Sequence, residues 1–107
     1  MTLRAHQLWL KAFYERRGWD QLSAGTRVNF MTEEIGEVAK AIRKLELAYD
    51  HPGQTAGTLL ERRENLQEEL ADVLDAVLIL ADKYEIAADD LLTQSQAKLS
   101  ARYGESR

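Results

Sequence analysis

Two short stretches of the chain gather carboxylates at spacings that matter on a helix. The first is Glu33-Glu34-Ile35-Gly36-Glu37, and the second is Glu68-Glu69-Leu70-Ala71-Asp72, with Asp75 following. At about 100° per residue, Glu34 and Glu37 are neighbours at i, i+3 and Glu33 and Glu37 at i, i+4, and Glu69 and Asp72 repeat the i, i+3 step. Like charges so placed destabilise an isolated helix. A cation between them reverses the sign. Hard divalent ions such as Mg²⁺ take oxygen ligands at about 2.1 Å, keep some of their waters and bridge to substrate phosphates. The competing reading is a solvated acidic face, which is the ordinary explanation of any single such pair. Glycine costs about 1 kcal/mol relative to alanine in a helix interior. Gly36, between the acids, therefore predicts close packing or ligand approach at that point.

These acids need helices to position them, and the periodicity supplies four. Leu3, His6, Leu10, Phe13 and Tyr14 recur at steps of three and four, with Gly18 placed as a C-cap. Val28, Met31, Ile35, Val38, Ile42 and Leu45 mark one face of a second helix, and Leu66, Leu70, Val73, Leu74, Val77 and Ala81 one face of a third. A fourth runs from Ala87 to Tyr103, with Leu91, Leu92 and Leu99 as its apolar marks and Asp89 and Asp90 at its dipole-favoured start. The main cluster of turn formers is Asp50 to Thr58. No stretch alternates long enough to be a strand.

On the helical wheel Glu34 projects roughly 70° to one side of the second helix's stripe, Glu37 roughly 130° to the same side, and Glu33 nearly opposite. Glu69 lies at the edge of the third helix's arc and Asp72 about 60° beyond it. Antiparallel packing of these two helices brings four carboxylates to one cleft. The fold expected is an all-α four-helix bundle forming a single domain over residues 1–107. The run Val77-Leu78-Ile79-Leu80-Ala81 is apolar nearly all round. It predicts excess apolar surface buried in a homodimer, with a large monomeric core as the alternative.

Composition narrows the function classes. The chain has 107 residues, 14 Lys+Arg against 18 Asp+Glu, and no cysteine. Disulfide scaffolds, zinc–thiolate sites and cysteine nucleophiles are excluded. A net charge of −4 argues against nucleic acid as partner, since such binders carry a basic footprint. It does not argue against a nucleotide whose phosphates arrive with a metal. No apolar run approaches the roughly 20 residues of a membrane span, and the opening residues lack a signal peptide's apolar segment. A cytoplasmic protein is the expectation.

The acidic stretches carry a family resemblance. Glu33-Glu34-x-x-Glu37 followed by Glu69-x-x-Asp72 resembles the E-E-x-x-E … E-x-x-D signature of the all-α nucleoside triphosphate pyrophosphohydrolases, the MazG-like superfamily. The surrounding text, MTEEIGEVAKAI from Met31 and EELADVLDAVLILADK from Glu68, is similar to that family's two central helices. The likeness covers about residues 5–103. It departs in spacing, since 31 residues separate Glu37 from Glu69, slightly more than is usual. The excess is expected in the 49–58 loop, where insertion is tolerated.

The resemblance implies hydrolysis of a nucleoside triphosphate between its α and β phosphates, with Mg²⁺ (or Mn²⁺ in its place), giving a monophosphate and pyrophosphate. Glu34, Glu37, Glu69 and Asp72 would be the metal ligands. Glu33 would bind a second metal or orient the attacking water. Lys98 and Arg102, at i, i+4, resemble a basic pair that meets phosphates in the family. Their other reading is a solvated basic helix end. Lys40 lies within reach of phosphate. Asn29 is placed to contact sugar or base, and Trp19 offers a stacking surface. Three functions remain open at this point. They are a nucleotide-pool pyrophosphohydrolase acting as a homodimer or homotetramer, a phosphoribosyl-ATP pyrophosphohydrolase, and a non-catalytic helical module whose acidic face binds a basic partner.

Overall fold

Helix boundaries follow from capping chemistry. In the computed structural model, which describes residues 1–49, 51–53 and 57–104, Thr2 accepts a hydrogen bond from the Ala5 amide and opens α1, Leu3–Arg17. Gly18 closes it at φ 72°, a left-handed conformation that glycine adopts without steric cost. A 3₁₀ turn follows at Trp19–Gln21, too short to leave a periodic signal. Ser23 accepts from the Thr26 amide and opens α2, Ala24–Leu47. The third helix, α3, runs Leu59–Lys83, starting well before its first apolar mark at Leu66. A capping box sets that start: the Thr58 amide donates to Glu61 and the Glu61 amide to Thr58 Oγ1. The last helix, α4, is Ala88–Tyr103. The described residues contain four α-helices and no strand, so the all-α expectation holds. Asp50 and residues 54–56 of the expected turn segment lie outside the described residues.

The chain divides into two compact units. One comprises Met1–Leu22 with the stretch from Leu78 onward, and the other is Ser23–Val77. The first is organised around Leu10, Leu78, Ile79 and Ala88, with Leu3 and Tyr14 packed on them. Beside this small apolar centre sits a fully buried polar side chain, Gln7. Its Nε2 donates to the Leu78 and Ile86 carbonyls, each at 3.0 Å. Its Oε1 accepts from the Ala88 amide at 2.8 Å and from Arg4 at 2.7 Å. The residue before α4 is Ala87, which has no capping side chain, so Gln7 from α1 does the work of a cap.

In the second unit α2 shows two stripes instead of the one expected. Arg27 and Ala41 are buried and Met31, Glu34, Val38 and Leu45 half-buried, at alternating steps of four and three. Val28, Ile35 and Ile42, spaced by seven, are exposed. The expected stripe mixed the two, and its centre fell between them. On α3 the half-buried set includes Arg62, Leu66, Glu69, Val73 and Ala76, while Leu70, Leu74 and Val77 are exposed. Within the run Val77–Ala81, Leu78, Ile79 and Ala81 are buried and Val77 is exposed, so the exposed apolar surface of α3 includes Leu70, Leu74 and Val77 but not the rest of that run. No helix among the described residues is long and apolar enough to cross a membrane.

Replacing Gln7 by alanine strands the Ile86 carbonyl and the Ala88 amide, while the Leu78 carbonyl keeps its donor within α3. At about 1–3 kcal/mol for each unsatisfied group, Gln7→Ala should lower unfolding stability by about 2 kcal/mol or more. Urea denaturation reads this directly, and a loss below about 1 kcal/mol would show that the groups find other partners.

Candidate metal centre

The inward stripe of α2 carries Glu34 between Met31 and Val38, and that of α3 carries Glu69 between Leu66 and Val73. Each glutamate occupies a seam position that periodicity would give to a leucine or valine. Asp72, one turn beyond Glu69, is exposed at the side of the seam. One carboxylate oxygen from each of Glu34, Glu69 and Asp72 lies within 4.8 Å of the other two. Oxygens on opposite sides of a Mg²⁺ ion are about 4.2 Å apart at its usual bond length, so small side-chain adjustments let all three reach one ion. The donor set is all carboxylate, which suits a hard cation and not a thiophilic one.

The electrostatics are those of crowded acids. Partial burial raises the Glu34 pKa above its ordinary value, and the charges of Asp72, Glu69 and Glu37 raise it further. A hydrogen bond with Asp72, which only protonated Glu34 can donate, acts in the same direction. Glu69 is raised first by burial and then by Asp72, Glu37 and Glu68, while the Lys44 ammonium opposes the shift. Burial and like charge thus act in the same direction, toward the protonated form.

Residues 23–105 match the family model described as MazG nucleotide pyrophosphohydrolase domain. The chain belongs to this family. It is also 38% identical over 103 residues to a Bacillus subtilis (strain 168) protein named "Uncharacterized protein YvdC", covering 96% of this chain and 97% of that one. No solved structure gives a match. Members of the MazG family generally depend on a divalent metal, and a nucleotide substrate follows from membership.

Of the residues singled out from the sequence, Glu34, Glu69 and Asp72 come together. Glu37 is exposed yet close enough to act electrostatically on both glutamates. Glu33 is exposed, as its wheel direction indicated, and Asn29 is exposed on the same helix. Lys40 is half-buried. Lys98 and Arg102 are exposed on α4, in the first unit. Trp19, also of the first unit, is 45% exposed and packs edge-on against Tyr14 at 5.3 Å and Phe13 at 6.0 Å. Gly36 meets only one half of its expectation's test: it is exposed, and a Cβ added there meets nothing within 4 Å, which bears on close packing and not on ligand approach. Close packing within this chain therefore does not explain it. Lys44 and Arg27 were not anticipated. Arg27 carries a signal in retrospect, since it falls in phase with Met31 and Glu34 on the buried stripe.

The raised carboxyls fix a sign. Glu34 and Glu69 hold protons more tightly in the folded chain than in the unfolded one, whose value is near 4.5. From there up to the raised folded values the native state carries the extra protons, so their contribution to stability falls as pH rises. A cation must displace those protons, and its affinity rises over the same window. Metal-free Glu34→Gln should therefore melt above the wild type at neutral pH, with the difference shrinking toward pH 4.5. Mg²⁺ or Mn²⁺ should raise the wild-type melting temperature more at neutral pH than at pH 5, and should do little for the variant. Differential scanning calorimetry across pH checks both, and a variant melting at or below wild type throughout would refute the repulsion.

Proposed function

We propose that the protein is a Mg²⁺-dependent nucleoside triphosphate pyrophosphohydrolase that converts a (d)NTP to the (d)NMP and pyrophosphate. The observation that carries this reading is the meeting of Glu34, Glu69 and Asp72 at a helix seam in a chain of the MazG family. Glu34, Glu37, Glu69 and Asp72 are assigned as the metal-holding set, with Glu33 orienting the attacking water or serving a second cation. A cation held there would neutralise phosphate charge, polarise the phosphorus centre and acidify a water. Water adds across the α–β linkage: its oxygen ends on one of the two phosphorus atoms, the bridging oxygen leaves with the other, and the water's protons pass to solvent or to the phosphate oxygens of the monophosphate and pyrophosphate products. In-line displacement of this kind asks for positioning and charge stabilisation more than covalent help from the protein. Lys40, Lys98 and Arg102 are assigned to the phosphates, Asn29 to sugar or base, and Trp19 to base stacking.

In this reading residues 1–107 act as one catalytic domain in the cytoplasm, clearing unwanted nucleotides without nucleic-acid or membrane partners. The exposed stripe Val28, Ile35 and Ile42, with Leu70, Leu74 and Val77 on α3, supports a homodimer or homotetramer, because a second copy offers matching apolar surface.

Pyrophosphate release should be measured with Mg²⁺ over a panel of canonical and modified NTPs and dNTPs, with phosphoribosyl-ATP as one member. Glu37→Gln and Asp72→Asn should each lower turnover by more than about 100-fold, since loss of even the outer support of a metal ligand costs about 10–100-fold. Helix content by circular dichroism should not change. Turnover retained in either variant removes that residue from the site, and a panel without pyrophosphate release overturns the reading. Separately, Ile42→Lys should shift the sedimentation equilibrium toward the monomer. An unchanged mass would place the subunit contact elsewhere.

A further inference from the structure

One arginine on α3 makes bonds that neither capping of its own helix nor surface solvation accounts for. Arg62 Nη1 donates to the Lys44 carbonyl at 3.1 Å and to the Leu45 carbonyl at 3.2 Å, both in the last turn of α2. Its Nε donates to the Thr58 carbonyl at 3.3 Å, which fixes the guanidinium against the first turn of its own helix. The Lys44 carbonyl also accepts from the Ala48 amide at 2.9 Å, whereas the Leu45 carbonyl lies in the last turn, where helical donors run out, and a cation there is further favoured by the dipole. Arg62 therefore links the end of α2 to the start of α3.

We propose that Arg62 is a positioning residue for the carboxylate centre: it sets the sliding register of α2 against α3, and with it the meeting of Glu34 with Glu69 and Asp72. Its role in metal binding and turnover rests on the function proposed above, whereas its role in register does not. The spacing along the helices is consistent. At 1.5 Å rise per residue, Glu34 lies about 15 Å from Lys44 along α2, and Glu69 and Asp72 lie about 10 and 15 Å from Arg62 along α3. The bonds of Arg62 to Lys44 and Leu45, and the approach of Glu34 to Glu69 and Asp72, are thus two contacts of one antiparallel pair.

Other features fix that register poorly. Residues 48–58 join the helices, and the entropy of closing such a loop changes only slowly with its length. The apolar seam repeats every three or four residues, so a slide by one turn largely restores apolar contact. The same slide moves one helix by about 5.4 Å and parts carboxylates that now lie within 4.8 Å. Directional bonds to two named carbonyls do not survive it. Arginine suits the task because its planar, always-charged donor fork holds a fixed geometry.

The chain has no native cysteine, so spin labels can be placed at will. Cysteines at Glu46 and Glu64, both exposed, put one label on each helix. Pulsed electron resonance on labelled chains diluted into unlabelled protein reads their separation, and Mn²⁺ titration of the full-length unlabelled protein reads the site. Arg62→Met should shift or broaden the label distance and weaken Mn²⁺ binding about tenfold, the low end of the loss caused by removing support behind metal ligands. Arg62→Gln, milder and too short to span both carbonyls, should do the same if the methionine variant does not fold. Arg62→Lys should recover part of both signals. Altered melting temperature with unchanged distance would overturn the proposal, as would a shifted distance with unchanged Mn²⁺ affinity. Wild-type protein that binds no Mn²⁺ would overturn the metal reading and the positioning of a metal site. A distance shift in Arg62→Met would still support the register clamp.

Discussion

Two glutamates in a helix seam are the constraint around which the second unit is arranged. An apolar residue at either position would pack without electrostatic cost, whereas Glu34 and Glu69 lose solvation there and face Asp72 besides. Folding must therefore hold together groups that repel, and the seam around them is short of large apolar side chains: its fully buried aliphatic member on α2 is Ala41. Lys44 offsets part of the repulsion at Glu69. The remainder is available to a cation, whose binding free energy grows with the number of charged oxygens it neutralises. Local instability and affinity for metal are one quantity read with opposite signs.

Much of this was legible in the sequence, for identifiable reasons. Helix number and type came from long apolar periods, and the end of α1 from Gly18, whose position only a left-handed turn explains well. The acids were legible because their spacing is one helical turn. The direction of Glu34 was not. The wheel assigned it to the edge of a stripe whose members, Met31 and Val38 on one side and Ile35 and Ile42 on the other, divide between two faces. A single apolar centroid cannot distinguish one broad face from two adjacent ones. The early start of α3 was hidden for another reason: its opening Leu59 and Leu60 are exposed, and Glu61 to Asn65, which follow, carry no apolar mark to extend the period back from Leu66.

Gln7 shows the limit of local pattern most clearly. Nothing near it in the sequence marks a glutamine of α1 as the partner of Leu78, Ile86 and Ala88, more than 70 residues along. The physical logic appears only in the folded chain. Leu78 lies in the last turns of α3, where its carbonyl keeps a helical donor, while Ile86 lies in the link and Ala88 at the uncapped start of α4, so the corner leaves backbone groups that the helices do not pair. One amide side chain, donor on one side and acceptor on the other, satisfies them together. With an apolar centre of only a few residues, hydrogen bonds worth about 1 kcal/mol each are not minor beside side-chain burial of about 1.5–3 kcal/mol.

The acidic balance of the chain takes its meaning from where the charge sits. Spread evenly, a charge of −4 would repel any polyphosphate weakly and from every side. Three of the acids instead share a space under 5 Å across, with Glu37 and Glu68 acting on them. A divalent cation at that point cancels a large part of the local field while leaving the rest of the surface nearly as it was. The bare acids repel phosphate, and the same acids with their cation attract it. Under the function proposed above, a nucleotide gains most by arriving with its metal, and discrimination against polyanions without one follows from the same carboxylates.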